Sequence, residues 1–150
     1  MPGITKEQVL QHCQEMIDGQ IAELSSEIAK VEESAANETK SSMGDKYETG
    51  REMMMQEKVK LNERLQLLKN HKVALNAVDD TTHEMVKLGS LVCTNQATFF
   101  IVSAIGNVTV KGTPVFVISQ AAPLAREMMG KREGEEIRFN GRAQKVLAVS

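Results

Sequence analysis

The sequence predicts an α+β fold in which a long antiparallel helical hairpin, a coiled coil, precedes a small antiparallel β-rich domain with one short helix. Three observations support this prediction. Apolar residues recur at helical spacing through the first half of the 150-residue chain. All four Phe and most β-branched residues lie after Asp80. The formal net charge of -2 divides at the same place, into -5 for residues 1–80 and +3 for residues 81–150. We therefore expect one domain over 1–80 and a second over 81–150.

The first helix is predicted to begin near Thr5, which can act as its N-cap, with Glu7 and Gln8 in the first turn. Further along, apolar residues alternate at spacings of four and three residues, which is the seam of a coiled coil. These positions are Ile17, Ile21, Leu24, Ile28, Val31 and Ala35.

The second helix follows a polar stretch over residues 37–44, where the apolar pattern is interrupted. Periodicity then resumes at Tyr47, Met54, Leu61, Leu65, Leu68 and Leu75. Two arms of about 30 residues, each about 45 Å long, predict a hairpin whose acidic turn near 38–50 lies far from the rest of the chain. Two interpretations of the run Met53–Met55 stay open: packing into gaps against the first helix, or an exposed contact surface near the turn.

The predicted turn carries Gly44, Asp45 and Glu48. In one interpretation Asp45 caps the second helix and Glu48 is its partner three residues later, an arrangement common at helix starts. In the other, the two carboxylates share one helical face and contribute to a divalent cation site. Because Mg²⁺ usually takes one or two carboxylates and keeps several waters, such a pair would complete a site whose other ligands belong to a partner.

The second domain shows the pattern of a small sheet. A short helix is predicted over Ala121–Met129, with Pro123 near its start and Gly130 just past its end. The dipeptide Asn140-Gly141 predicts a hairpin turn. The predicted strands cover residues 90–94, 98–104, 108–111, 114–119, 135–139 and 143–149, with a turn at 105–107.

Composition excludes several classes of protein. The mixed charge fits neither a disordered acidic tail nor a simple basic nucleic-acid binder. No apolar run approaches the roughly 20 residues of a membrane span, and the first ten residues lack the apolar core of a secretion signal. Cys13 and Cys93 form no metal-ligand motif, so free thiols in a cytoplasmic protein are expected. Ser119 has no His and Asp at a spacing that suggests a nucleophile.

The run from Ile118 to Glu135, ISQAAPLAREMMGKREGE, resembles the signature of the Gre transcript-cleavage factors, GreA and GreB. That signature has Ile-Ser, then Ser/Ala-Pro-Leu/Ile, a small residue, Arg, two apolar residues, Gly-Lys and an acidic, Gly-rich turn. The family's hairpin turn carries Gly-Asp, two residues and Glu, which correspond here to Gly44, Asp45 and Glu48. The resemblance extends over the whole chain, in the same order of segments.

The resemblance implies a bacterial transcription elongation factor with an FKBP-like second domain that docks on RNA polymerase. Its hairpin would enter the secondary channel, where Asp45 and Glu48 would help hold a Mg²⁺ shared with the polymerase and assist cleavage of backtracked RNA. The factor would be an accessory protein and no enzyme, with no cofactor bound alone, an indirect contact to the 3′ end of the nascent RNA, and a monomeric state. The partner-binding residues implied are Ser119, Pro123, Arg126 and Lys131.

Two alternatives stay open at this point. Thr49, Gly50 and Arg51 follow the tip Glu, where the family usually has Asn, Ala and Glu. This departure is compatible with a Gre-like polymerase regulator that does not stimulate cleavage. The other alternative is a structural coiled-coil interaction protein whose acidic turn only caps a helix.

Overall fold

Two long helices form the first part of the computed structural model, which describes residues 3–40 and 45–150, with side chains described for 3–37 and 50–150. Helix α1 covers Lys6–Lys40 and α2 covers Asp45–Asn76. Contacts divide the chain into two compact units, Met16–Lys72 and Met1–Glu15 with Val73–Ser150. We call the first the helical unit and the second the sheet unit. These two units are defined by which residues contact one another. The predicted domains, with their boundary at 80/81, are defined by amino-acid composition.

The start of α1 is a capping box. The backbone N–H of Gln8 donates to Thr5 Oγ1 at 3.2 Å, and the Gln8 side-chain oxygen accepts from the Thr5 N–H at 3.0 Å. The predicted N-cap at Thr5 is confirmed, and Gln8 is its reciprocal partner. Two N–H groups that the helix itself leaves without acceptors are satisfied in this way.

The helical unit is an antiparallel pair, as predicted. Lys72 Nζ lies 2.9 Å from an Asp18 carboxylate oxygen, and Lys58 Nζ lies 3.0 Å from a Glu32 carboxylate oxygen. Both pairs are centred on position 45, so the two helices run antiparallel. An apolar cluster fills the seam between the helices, with Leu24, Ile28 and Leu61 buried and Val31, Leu65 and Leu68 packed around them.

Among its described residues, the sheet unit contains six strands and one short helix, α3, at Pro123–Met128. The strand order across the sheet is β3-β4-β2-β1-β6-β5. The strands are β1 (Leu91–Thr94), β2 (Thr98–Ile101), β3 (Gly106–Val110), β4 (Thr113–Ile118), β5 (Glu136–Phe139) and β6 (Arg142–Val149). The predicted small sheet with one short helix is confirmed.

One pair of strands departs from the predicted antiparallel arrangement. β2 and β4 are parallel, with Phe99 opposite Phe116, so the sheet is mixed. The tight β3–β4 turn explains this, since Lys111 and Gly112 both have positive φ and reverse the chain within two residues. After two reversals, β4 runs in the direction of β2 and lies between β2 and β3.

The other local predictions for this unit hold closely. Asn140 and Gly141 have φ of 52° and 76°, and they join β5 to β6 in the predicted hairpin. Gly130 follows α3 with φ of 81°, as a residue just past a helix end often does. The apolar core next to α3 is formed by Ala125 and Met128 together with Val86, Val92, Phe99, Ile101, Ile137 and Val146.

Candidate functional site

The predicted catalytic and metal-binding residues, Asp45 and Glu48, fall at the turn of the helical pair. Their backbone lies in the first turn of α2, which begins at Asp45. Their side chains lie outside the residues whose side chains the structure describes, so capping and metal binding both stay predictions. Elsewhere, in the part of the chain that is described, no three His, Cys, Asp or Glu side chains are grouped so as to hold a metal ion.

Next to this turn, the helical pair forms a shallow groove of about 290 Å³. Met54 is half-buried and lines the groove together with Arg51, whereas Met53 is 65% exposed and Met55 54% exposed. Within the methionine run, the half-burial of Met54 is compatible with packing, whereas Met53 and Met55 leave apolar side chains exposed. The remaining lining residues are Val31, Glu32, Ala35, Ala36, Met55 and Lys58.

The predicted partner-binding residues of the second domain all lie in α3 and the turns that flank it. Ser119 Oγ accepts a hydrogen bond of 3.1 Å from the Ala121 N–H, and this bond shapes the turn before the helix. Pro123 is the first residue of α3, and Arg126 lies exposed in its last turn. Lys131 is half-buried, and its backbone carbonyl accepts from the Val86 N–H at 2.8 Å. The sequence motif therefore covers one continuous surface segment.

A polar network in the segment between α2 and β1 was not foreseen from the sequence. His83 is 4% exposed, and its two ring nitrogens lie 2.7 Å from Ser90 Oγ and 3.2 Å from Asp79 Oδ1. The Lys87 N–H donates to Ser90 Oγ at 2.9 Å. These contacts assign the ring proton to Nε2, which donates to Asp79, while Nδ1 accepts from the Ser90 hydroxyl. We call Asp79, His83 and Ser90 the linker network.

The linker network has the residue types of a hydrolytic triad but not its accessibility. Ser90 is fully buried and already bonded to His83 and to the Lys87 N–H, so no substrate can reach its oxygen. Burial, followed by the positive charge of Lys6, lowers the pKa of His83 and favours the neutral ring. The Thr81 hydroxyl, donating at 2.7 Å, is the largest cause that lowers the pKa of Asp79, to about 2. The linker network therefore has a structural role, because its hydrogen bonds fix the conformation of the linker.

Lys6 attaches the start of α1 to this linker. Its Nζ donates to the Thr81 carbonyl oxygen at 2.5 Å and lies 3.9 Å from Asp79 Oδ1. Only 8% of Lys6 is exposed, and this burial lowers its pKa more than the nearby carboxylate raises it. No pattern in the sequence pointed to these contacts, since 75 residues separate Lys6 from Thr81.

Both cysteines are free, as the sequence predicts, and the structure shows that both are buried. Burial raises the pKa of the Cys13 thiol to about 11, so the thiol stays protonated at neutral pH. Within the described residues, no helix combines the length and apolar character that a membrane span needs.

No family model and no curated protein matches this chain. Three solved structures of Gre-factor homologues align with it. The Gfh1 protein of Thermus thermophilus, GreA factor homolog 1, is 21% identical over 91% of this chain and 94% of that one, with a TM-score of 0.36. A second Gfh1 structure is 22% identical over 91% and 92% of the two chains, with the same TM-score of 0.36. Gfh1 of Thermus aquaticus is 19% identical over 90% and 92%, with a TM-score of 0.34.

The chain is similar to these Gre-factor homologues along most of its length.

Proposed function

We propose that this chain is a Gre-type transcription factor that binds bacterial RNA polymerase and assists its cleavage of backtracked RNA. The main observation behind this proposal is the antiparallel helical pair, whose two interhelical ion pairs are centred on position 45. Asp45 and Glu48 of the Gly-Asp-x-x-Glu motif lie, by their backbone, in the first turn of α2. The second motif, at 118–135, coincides with one ordered segment around α3.

The dimensions of the helices suit a role in a deep, narrow channel. α1 has 35 residues and α2 has 32, so each is about 50 Å long. The two helices bury their seam against each other, as the Leu24, Ile28 and Leu61 cluster shows. Such a pair needs no third element to bury its seam, so it can enter a channel as two helices alone.

The chemistry at the turn follows from the two carboxylates. A Mg²⁺ supplied by the polymerase can use Asp45 and Glu48 as additional oxygen ligands, in keeping with the one or two carboxylates this ion usually takes. When bound, the ion lowers the pKa of a coordinated water and stabilises charge on the phosphate. The chain's own contribution is to position the carboxylates, and the polymerase supplies the remainder of the active site.

Docking is assigned to the segment around α3. Residues 81–150 have a net charge of +3, and Arg126 presents an exposed cation in α3, although segment 118–135 as a whole is neutral because three basic residues are balanced by three glutamates. Pro123 fixes the backbone at the first position of α3, which reduces the conformational freedom lost on binding. We expect Ser119, Pro123, Arg126 and Lys131 to contact the polymerase.

The test uses stalled, backtracked complexes of purified bacterial RNA polymerase with Mg²⁺. The wild-type chain is expected to accelerate cleavage, and Asp45→Ala with Glu48→Ala is expected to abolish the acceleration while polymerase binding is kept. The matched control is Glu57→Ala with Glu63→Ala, which removes the same charge from exposed positions of α2. Equal loss in both double variants would assign the effect to net charge and overturn the metal-assisting role.

A second candidate is a polymerase regulator that binds without stimulating cleavage. The sequence at the turn favours it, because Arg51 follows Glu48 at i+3 and brings a positive charge to the predicted metal ligands. In that case the wild-type chain does not accelerate cleavage, but it competes with an authentic cleavage factor for the polymerase. A structural coiled-coil protein would show no polymerase binding, and a dimeric mass in solution would support it over the expected monomer.

A further inference from the structure

A groove of about 910 Å³ lies within the sheet unit, between the first turns of α1 and one face of the sheet. Its floor is formed by Leu91, Cys93, Thr98 and Ala148. These residues share a face because Leu91 and Cys93 are two apart on β1, and because Cys93 is opposite both Thr98 and Ala148 in the neighbouring strands. Leu10, Gln11 and Gln14 of α1 form the opposite wall.

The size and floor of the groove suit a small ligand with an apolar body. Pockets that take such ligands usually measure about 300–1,000 Å³ and combine an apolar lining with a few polar groups. Leu91 and Cys93 are less than a tenth exposed, and the Cys93 thiol is a small, weakly polar group. An aliphatic chain or a ring placed on this floor would exchange water for apolar contacts.

The rim of the groove is acidic. It carries one lysine, Lys6, and three carboxylates, Glu7, Asp79 and Asp80. Lys6 already donates to the Thr81 carbonyl and lies close to Asp79, so its charge is not offered to a ligand. Glu7 and Asp80 are exposed and have no ion-pair partner within 4 Å among the residues described. With three carboxylates and one lysine, the lining of the groove carries a net negative charge.

We propose that this groove binds a small cationic amphiphile, with its apolar body on the sheet floor and its ammonium or guanidinium group at the rim carboxylates Glu7 and Asp80. An anionic ligand of the same shape is disfavoured, because it would place its charge beside three carboxylates. This site belongs to the sheet unit and needs no polymerase, so it stands independently of the proposed function.

The test compares three probes that share one alkyl chain: octylammonium, octyl sulfate and octanol, each below its micelle-forming concentration. The full-length chain is followed by amide chemical shifts in solution. Octylammonium is expected to shift the amides of Leu10, Cys93 and Thr98 in a saturable manner. It is expected to bind more tightly than octanol, whereas octyl sulfate produces no saturable shift.

Two sets of variants separate charge from shape. Glu7→Gln with Asp80→Asn is expected to raise the Kd for octylammonium about fivefold, since each half-solvated ion pair contributes little. Gln11→Trp, at an exposed position of α1, is expected to fill the groove and remove binding of both octylammonium and octanol. Glu57→Gln with Glu63→Gln, outside the groove, is the control and is expected to leave the Kd unchanged.

Three results would overturn the proposal. They are the absence of any saturable shift with octylammonium, an equal Kd for octylammonium and octyl sulfate, and an unchanged Kd in the rim double variant. The rim positions are exposed, so that variant retains the fold even if Gln11→Trp does not. A native-like amide spectrum of each variant before titration confirms this.

Discussion

Replacing His83 by Ala is the most informative perturbation of the sheet unit. The imidazole accepts from the Ser90 hydroxyl and donates to Asp79, and it joins the linker after α2 to the turn before β1. The change removes both contacts at once. It leaves the Lys87 N–H bond to Ser90 in place, so the perturbation is local.

The expected loss of unfolding free energy is about 2–3 kcal/mol. The larger part comes from the Ser90 hydroxyl, which is fully buried and loses its acceptor, because an unsatisfied buried polar group costs about 1–3 kcal/mol. The bond to Asp79 contributes less, because the Asp79 side chain is 54% exposed and water replaces the imidazole there. His83→Ala with Ser90→Ala removes both partners and is expected to be less destabilising than the sum of the two single changes.

The same ring makes the stability of the sheet unit depend on pH. Burial is the main reason that the folded pKa of His83 lies below 6.5. The unfolded chain therefore binds a proton near pH 6.5 while the folded chain remains neutral at Nδ1. Stability is present above pH 6.5 and is lost as pH falls toward the folded pKa. His83→Ala should abolish this part of the dependence.

Native-state hydrogen exchange is the appropriate assay, because it reports each unit separately. Amides of β1 and β2 report the sheet unit, and exchange is compared at pH 5.5 and 7.5 after correction for intrinsic rates. His12→Ala is the matched control, since His12 is half-buried and takes no part in the network. The reasoning is refuted if His83→Ala leaves the exchange free energy of β1 unchanged, or if its pH dependence equals that of the wild type.

Three further predictions concern the helices and the buried thiol. Leu24→Ala, at a position 5% exposed, should lower the unfolding free energy of the helical unit by about 2–4 kcal/mol. Leu67→Ala, at a position 55% exposed, is the control and should lower it by less than about 0.5 kcal/mol. Both values are measured by amide exchange of α2, and equal losses would contradict the buried seam. Thr5→Ala should lower the unfolding free energy by about 1 kcal/mol and speed amide exchange in the first turn of α1. Ser34→Ala, at an exposed position of the same helix, is the control. Unchanged exchange in the first turn would contradict the capping box. Because the pKa of Cys13 is raised from 9.0 to about 11, the wild type should lose stability relative to Cys13→Ala as pH rises above 9.0; parallel curves from urea unfolding would contradict this.

The helical pair was largely predictable because its pattern is local. The spacing of Ile17, Leu24 and Ile28 predicts a buried stripe, and all three are buried. Ile21 and Val31, on the margin of the same stripe, are half-buried. The end of α1 was less predictable, since the helix continues to Lys40, past the last apolar position of the pattern. No Pro or Gly interrupts residues 37–40, so nothing there forces a helix to end.

The strands were predictable in number and approximate place, but their neighbours were not. The turn predicted at 105–107 is partly strand, since β3 begins at Gly106. The order of residues along a strand determines which side chains face each side of the sheet. It does not determine which other strand lies beside it. The parallel pairing of β2 with β4 arises because β4 lies between β2 and β3, a choice made by packing across the sheet.

By itself, the sequence determined the helical hairpin, the small sheet with its short helix, the tight turns and the two motifs that resemble those of Gre factors. Each of these depends on residues within a few positions of one another, where periodicity, capping and turn chemistry act. Only the tertiary structure decided the mixed sheet, the linker network around His83, the burial of Lys6 and the groove beside it. Most of these features join residues far apart in the chain, such as Lys6 and Thr81. The linker network spans only residues 79–90, but no periodicity or turn motif there predicts its contacts. They form only when α1, the linker and the sheet pack together and exclude water from polar groups that must then bond to one another.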